Sequence, residues 1–192
     1  MLAVVGTVPD EAFPLVGGEV HLEKDRIRVC ERQVPVNRGT PALLAAVIKA
    51  GEVLGLPPPL AYLVGDIGLG HGSRRLYDHL VRHLKRSPAG VITFHYLQPD
   101  VDWHNKVLFA VQEMHPRPVL VADAGFMYAA KMSGQSQAYE LFTWMRGNWP
   151  FCPMKRPLTP FTPAASSFMM KTASPISSRG HMNTIMRPAI FW

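Results

Sequence analysis

The last 52 residues of this 192-residue chain contain no acidic residue, because all 14 Asp and Glu lie at or before Glu140. The first 140 residues carry 14 Lys and Arg against those 14 acids, so the formal net charge of +6 comes entirely from the C-terminal part. The basic residues there are spread among Pro, Ser, Thr and Met, which is typical of a solvated segment. We therefore expect no nucleic-acid partner.

Cysteine and long apolar runs are also scarce. Two cysteines, Cys30 and Cys152, are too few for a disulfide framework, so a reducing cytoplasm is the expected location. The first six residues lack the charged start of a secretory signal. Apolar runs such as residues 41–50 are shorter than the ~20 residues that a membrane helix needs, so no membrane partner is expected.

The character of the chain changes at Trp144. The overall hydrophobic content of 47% is enough for one core. After Trp144, however, methionine and proline crowd together and no hydrophobic period survives. We expect a folded domain over residues 1–143 and a disordered, acid-free, Pro/Met/Ser-rich tail over residues 144–192.

Strands alternate with helices along most of the first 143 residues. Short apolar runs predict strands at residues 1–7, 61–65, 90–96 and 118–122. Periodic apolar positions predict helices at residues 73–86 and 101–114, and alternating residues predict a hairpin at 19–30. This order predicts an α/β fold with a parallel sheet flanked by helices.

Local signals also set the expected limits of two elements. A helix is predicted from residue 40, with Thr40 as its cap, Pro41 at its first position and Gly51 at its end. Residues 131–135 are typical of a polar loop before a strand at residues 139–142.

A glycine-rich loop follows the strand at residues 61–65. Gly65, Gly68, Gly70 and Gly72 let the backbone approach a ligand, and the helix that follows offers unpaired N–H groups to a phosphate or other anion. The spacing is neither the dinucleotide fingerprint nor a Walker loop. A ligand contact and a plain tight turn both stay open.

Two further groups of polar residues follow predicted strands. Asp123 is a carboxylate at a strand end, where it could bind a ribose or a metal-bound water, or cap a helix. Residues 93–104 combine imidazoles and carboxylates, but they lack the tight spacing of a metal site. They favour a polar loop with half-buried aromatic residues.

Three segments in this order, residues 39–46, 64–70 and 120–124, resemble the ribokinase-like superfamily. The closest pattern is the ADP/ATP-dependent NAD(P)H-hydrate dehydratase branch, together with its sugar-kinase relatives. The resemblance implies a ribokinase-like sheet, of which this chain carries the N-terminal portion. It also implies a substrate crevice bordered by Gly39, Thr40, Gly68, Gly70 and Asp123. The chain departs from the pattern at Asp66-Ile67, where the family usually has Pro-Gly, and at Gly125, where it has a second Asp.

The function implied by the resemblance is that of a small-molecule kinase. The intact form would use ATP or ADP with Mg on a sugar or a hydrated nicotinamide cofactor, and could form a homo-oligomer. The family's Gly-Thr-Gly-Asp loop, which supplies an anion hole and an Asp general base, is absent from this sequence. We therefore expect a truncated kinase-like protein without catalytic residues. The alternative is a non-catalytic nucleotide-binding module with a basic interaction tail.

A shifted reading frame accounts for the missing acids. When the last base of each codon is read with the first two of the next, Trp144 and Met145 force an Asp. Three later pairs force a Glu in the same way: Met154 with Lys155, Met170 with Lys171, and Met182 with Asn183. With permitted codons, this frame restores the family's Gly-Glu segment after Thr143. We expect residues from about 144 onward to be translated out of frame.

Genomic DNA around codons 140–150 tests this expectation. Resequencing should show that an added or missing base, in the gene or in its recorded sequence, shifts the frame close to Trp144. An intact frame through this codon, with related proteins that share the tail, would contradict it.

Overall fold

The computed structural model describes residues 1–143, so the expected disordered tail over residues 144–192 lies outside the described residues. The described strands are β1 (Leu2–Val8), β2 (Val16–Glu23), β3 (Arg26–Val29), β4 (Arg32–Pro35), β5 (Leu60–Gly65), β6 (Val91–His95), β7 (Val119–Ala122) and β8 (Leu141–Phe142). The described helices are α1 (Gly39–Leu54), α2 (His71–His83), α3 (Val101–Gln112) and α4 (Ala124–Met132). None of these helices is long and apolar enough to cross a membrane.

All eight strands form one sheet, in the order β4-β3-β2-β5-β1-β6-β7-β8. Strands β5, β1, β6, β7 and β8 are parallel, whereas β2 pairs antiparallel with β5 and is followed outward by β3 and β4. The prediction of an α/β fold with a mostly parallel sheet flanked by helices is confirmed. Because β1, β5, β6 and β7 are parallel, the loops that follow them meet at one edge of the sheet.

The core has two buried clusters, and β1 contributes alternate residues to them. Val5 belongs to one cluster and Val4 to the other, as expected for a strand with helices on both faces. The first cluster includes the predicted inward positions of α2 and α3 and of the 3-10 turn after α2, which are Leu76, Leu80, Leu84, Val107, Leu108 and Val111. The second includes Leu44 and Ile48 of α1.

The limits predicted for α1 were wrong at both ends. The N-cap is Arg38, which makes no side-chain capping bond, and Thr40 lies inside the helix with its side chain buried. Thr40 does not cap because its hydroxyl bonds to a distant residue of the sheet. The helix also continues past Gly51 to Leu54, and it ends at Gly55, whose φ of 66° is left-handed.

The polar loop predicted at residues 131–135 was wrong in part, because Lys131 and Met132 belong to α4. Helix α4 was not predicted, because Gly125 lies in its first turn and glycine weakens helices. Glycine is needed there because a Cβ would collide with the carbonyl oxygen of Leu97. The N-cap of α4 is Asp123, which confirms the helix cap as one of the roles suggested for this residue. The short strand β4 was also missed.

Gly72 and Gly90 form a matched pair for a test of backbone packing. A Cβ at Gly72 would collide with the carbonyl oxygen of Gly65, whereas a Cβ at Gly90 would meet nothing within 4 Å. We expect Gly72→Ala to lower the free energy of unfolding by about 1–3 kcal/mol or more. Gly90→Ala should change it by less than about 1 kcal/mol. Urea denaturation measures both, and equal effects would contradict the close packing of α2 on β5.

Candidate functional site

Four loops meet at the carboxyl edge of the parallel strands. They follow β1, β5, β6 and β7, and they begin with Pro9, Asp66, Tyr96 and Asp123. The four strands are neighbours in the order β5-β1-β6-β7, so the loops lie side by side. In open α/β sheets this edge is where ligands bind. Two of the predicted site residues, Gly39 and Thr40, reach the same edge at the start of α1.

Thr40, His95 and Asp123 form a continuous polar chain at this edge. Thr40 Oγ1 lies 2.9 Å from Nδ1 of His95. On the other side of the ring, Nε2 of His95 lies 3.3 Å from Oδ2 of Asp123. The second oxygen of this carboxylate, Oδ1, accepts a 2.6 Å hydrogen bond from the backbone N–H of Ala124. Two predicted site residues that are 83 positions apart are therefore linked through one imidazole.

The protonation of this chain follows from its partners. Burial lowers the pKa of His95, and the Asp123 carboxylate raises it by less, so the net pKa lies below the ordinary value. His95 is therefore neutral at pH 7, with one N–H and one lone pair. The Asp123 carboxylate can only accept, so the N–H is on Nε2. Nδ1 then accepts the hydroxyl proton of Thr40.

The absence of a side chain at Gly6 makes the contact between Thr40 and His95 possible. A Cβ on Gly6 of β1 would lie 2.5 Å from Thr40 Oγ1 and 2.6 Å from the carbonyl oxygen of His95. Only glycine leaves room for α1 to bring Thr40 this close to β6. Thr7, the next residue of β1, donates its hydroxyl to the carbonyl oxygen of Tyr96 at 2.8 Å. Residues of β1 thus position the whole end of β6.

Tyr96 takes the backbone conformation that turns the chain away from β6. Its φ of 52° is left-handed, which is uncommon for an aromatic residue. Its ring meets that of His95 edge-on, with centroids 4.4 Å apart. A Cβ on Gly39 would be 3.7 Å from the same ring. Tyr96 is 47% exposed, so an aromatic surface lies at the edge of the candidate site.

The glycine-rich loop is held from within by Asp66. Oδ1 of Asp66 accepts hydrogen bonds from the backbone N–H groups of Gly68 at 2.9 Å and Gly70 at 3.1 Å. Oδ2 accepts from both the N–H (2.8 Å) and the hydroxyl (2.7 Å) of Ser73. Gly68 and Gly70 have φ of 101° and 82°, values that favour glycine strongly. The loop thus wraps around a carboxylate of its own chain.

These bonds also set the charge of Asp66. Burial raises its pKa, but the hydrogen bonds from Ser73, Gly70 and Gly68 lower it by more, so the net pKa is below the ordinary value. Asp66 is therefore ionised at pH 7 although its residue is only 8% exposed. Its negative charge lies at the N-terminus of α2, where the helix dipole favours an anion.

Gln98 connects this loop to the end of β6. Its side-chain amide donates to the carbonyl oxygen of Gly68 at 3.0 Å, and its backbone N–H donates to the Ser73 hydroxyl at 3.1 Å. Between the loop and the start of α3 there is a polar cavity of about 160 Å³. Its lining includes Leu69, Gly70, Arg74, Gln98 and Asp100.

The five predicted site residues therefore fall into two groups. Gly39, Thr40 and Asp123 surround His95 and Tyr96, whereas Gly68 and Gly70 surround Asp66. The substrate-binding role of all five stays a prediction. The polar loop predicted at residues 93–104 was wrong in part, because residues 93–95 belong to β6 and residues 101–104 to α3. The bridging role of His95 was missed. The only signal was its position at the end of the third predicted parallel strand.

Asp100 and His104, which follow His95 in the sequence, make their hydrogen bonds elsewhere. Asp100 caps α3 by accepting from the backbone N–H of Trp103 at 3.1 Å. His104 is fully buried, and its Nε2 lies 2.8 Å from the hydroxyl of Tyr139. Burial lowers the pKa of His104. Its contact therefore anchors α3 to the segment before β8.

The nucleotide and magnesium that the resemblance implies stay a prediction. Within residues 1–143, no group of three or more His, Cys, Asp or Glu comes together that could hold a metal ion. The N–H groups of Gly68, Gly70 and Ser73, which could have held a phosphate, are taken by Asp66.

Comparison with known proteins gives one distant relative. An uncharacterized protein of Methanocaldococcus jannaschii is 31% identical over 100 residues, which are 52% of this chain and 38% of that protein. The chain thus spans well under half the length of this curated relative. No protein-family model and no solved structure matches.

Stability should fall as the pH drops through about 6.5. Burial lowers the pKa of His95, His104 and His79 in the folded chain, so the unfolded chain binds more protons near this pH. The free energy of unfolding is then highest above pH 6.5 and is lost on acidification. Urea denaturation between pH 5 and 8 should show a smaller slope for His95→Gln. The exposed His71→Gln is the control, and equal slopes in both variants would refute the burial of His95.

Proposed function

We propose that residues 1–143 form the acceptor-substrate side of a small-molecule kinase of the ribokinase-like type. The intact protein would transfer phosphate from ATP or ADP to a sugar or a hydrated nicotinamide cofactor. The observation that carries this proposal is the convergence of Thr40 and Asp123 on His95. Both residues were expected at the substrate crevice from the resemblance alone, and both lie at the edge where α/β sheets bind ligands.

Asp123 is the residue best placed to receive the acceptor. Its side chain is 24% exposed, so one face of the carboxylate is open to a ligand. Ala124 and His95 hold the two oxygens in place, and each oxygen keeps a further lone pair for a ligand hydroxyl. A fixed carboxylate that accepts hydrogen bonds from vicinal hydroxyl groups is a common way to bind a polyol. Because it is already held, binding costs less side-chain entropy.

Thr40 and His95 act as positioning residues in this proposal. The Thr40 side chain is fully buried and the His95 residue is 7% exposed, so neither presents a large surface to a ligand. They fix the carboxylate relative to the start of α1 and the end of β6. The family's Gly-Thr-Gly-Asp loop is absent from this sequence, so we expect this chain to bind an acceptor without turning it over.

Ligand-induced thermal stabilisation of the 192-residue chain tests the acceptor site. A panel of pentoses, hexoses, nucleosides and NADH should contain at least one compound that raises the Tm. For that compound, Asp123→Asn should weaken binding by about tenfold or more, the effect of losing a hydrogen bond to a charged group. Asp78→Asn is the matched control, because Asp78 lies on α2 and pairs with Arg82.

Two results would count against the proposal. One is that no hydroxylated compound stabilises the chain. The other is that Asp123→Asn binds as well as Asp78→Asn. Stabilisation by ATP or ADP alone would instead favour the non-catalytic nucleotide-binding module. A chain repaired to the alternative frame after Thr143 should show phosphoryl transfer that the 192-residue chain lacks.

A further inference from the structure

We propose that Asp66 is a specificity residue, whose carboxylate occupies the anion position of the glycine-rich loop and so excludes phosphate groups of the substrate from it. This inference rests on the proposed function, because it concerns which acceptors the same edge of the sheet accepts. It predicts that the part of the acceptor next to the loop is uncharged.

Four donors of the loop already bond to Asp66. A loop that leads into a helix binds phosphate through N–H groups that have no partner in the helix. Here the N–H groups of Gly68, Gly70 and Ser73 point at Asp66, as does the Ser73 hydroxyl. A carboxylate that receives four hydrogen bonds satisfies the same donors that a phosphate would.

Asp66 is also fixed in this position by its neighbours. Gly72 lies against it, and a Cβ there would come within 2.9 Å of the Asp66 Cβ. Ser73 is itself held, since its hydroxyl also accepts the backbone N–H of Gln98. The carboxylate cannot leave without breaking these contacts, so a phosphate would have to displace four bonds that are already made. A phosphate would therefore replace charge-assisted bonds that are already made, and would find no free donor among these four.

The charged side chains around the glycine-rich loop include several carboxylates. The neighbouring strand ends carry Asp10 and Asp123, so the edge has carboxylates after β1, β5 and β7. Exposed cations near the helix starts are Arg38 before Gly39 and Arg74 and Arg75 in α2. Arg74 and Asp100 both line the cavity beside Gly70. A phosphate brought to the donors of Gly68, Gly70 and Ser73 would be repelled by the ionised Asp66, which already bonds to them. Uncharged hydroxyl groups carry no such penalty.

The consequence separates the two substrate branches of the proposed function. A hydrated nicotinamide dinucleotide carries a pyrophosphate, whereas an unphosphorylated polyol carries none. The loop accepts the unphosphorylated polyol next to Asp66 and rejects the pyrophosphate of the dinucleotide. Ile67 and Leu69, which are 56% and 63% exposed, then supply the apolar contacts of the loop with the acceptor.

Inorganic phosphate is the probe for the test, added at constant ionic strength. In the parent chain it should leave the backbone amide NMR signals of Gly68, Gly70 and Ser73 unmoved. Asp66→Ala removes the carboxylate and frees the four donors. We expect this variant to be less stable than the parent, and phosphate should restore part of its Tm by binding the freed donors. Its phosphate affinity should exceed that of the parent by at least about tenfold.

Asp100→Ala is the matched control, because Asp100 caps the neighbouring helix with a single bond to Trp103. It should lose stability, and phosphate should not restore its Tm more than that of the parent. If Asp66→Ala folds only in phosphate, the proposal is supported. If it does not fold at all, Asp66→Asn replaces it, since its amide keeps one acceptor oxygen and loses the charge.

Two outcomes overturn the inference. Phosphate could shift the loop amides of the parent chain at millimolar concentration, or an Asp66 variant that folds could bind phosphate no better than the parent. Neither outcome touches the acceptor site at Asp123. Conversely, the kinase proposal fails if no hydroxylated compound binds, and the phosphate titration of the Asp66 variants still gives its own answer.

Discussion

The contact between Thr40 and His95 is the constraint on which the candidate site depends. It joins the first turn of α1 to the end of β6, and it exists because Gly6 of β1, which lies beside both, has no side chain. His95 then fixes the carboxylate of Asp123 at the end of the next strand, β7. One close approach at the centre of the sheet thus aligns residues from both of its faces and from three strand ends. A larger residue at position 6 would separate them without touching any ligand group.

Two carboxylates at this edge, Asp66 and Asp123, differ in their hydrogen bonds and in their exposure. Asp66 receives four bonds and is 8% exposed, so its charge is spent on its own loop. The Asp123 side chain receives one backbone bond, lies beside a neutral imidazole and is 24% exposed. The first carboxylate therefore shapes its own loop, whereas the second keeps part of its surface exposed. The same residue type at the end of two parallel strands is enclosed by donors in one case and partly open in the other.

Local patterns were enough to predict most elements, and they failed where a distant residue decides the outcome. Apolar runs placed β1, β5, β6 and β7, and apolar periodicity placed α2 and α3, because burial dictates both patterns. The cap assigned to Thr40 was wrong because its partner lies 55 residues away. α4 was missed because Gly125 is required by packing on Leu97, which no local rule sees. Asp66 could have been anticipated: an Asp two residues before a glycine commonly accepts its N–H. The ribokinase-like assignment and the division at residue 143 stay predictions.

The position of β1 has a consequence for how the chain assembles during synthesis. β1 is made before both of its neighbours, β5 and β6, and Ala3 lies opposite both Leu60 and Ile92. Its ladder with β5 can close only after Gly65 has been made and its ladder with β6 only after His95, and contacts of such sequence separation form slowly. Until β5 emerges, this strand of almost entirely apolar residues lacks both of its partners. Nascent chains of this protein should therefore need a chaperone most during the interval between the emergence of β1 and that of β5.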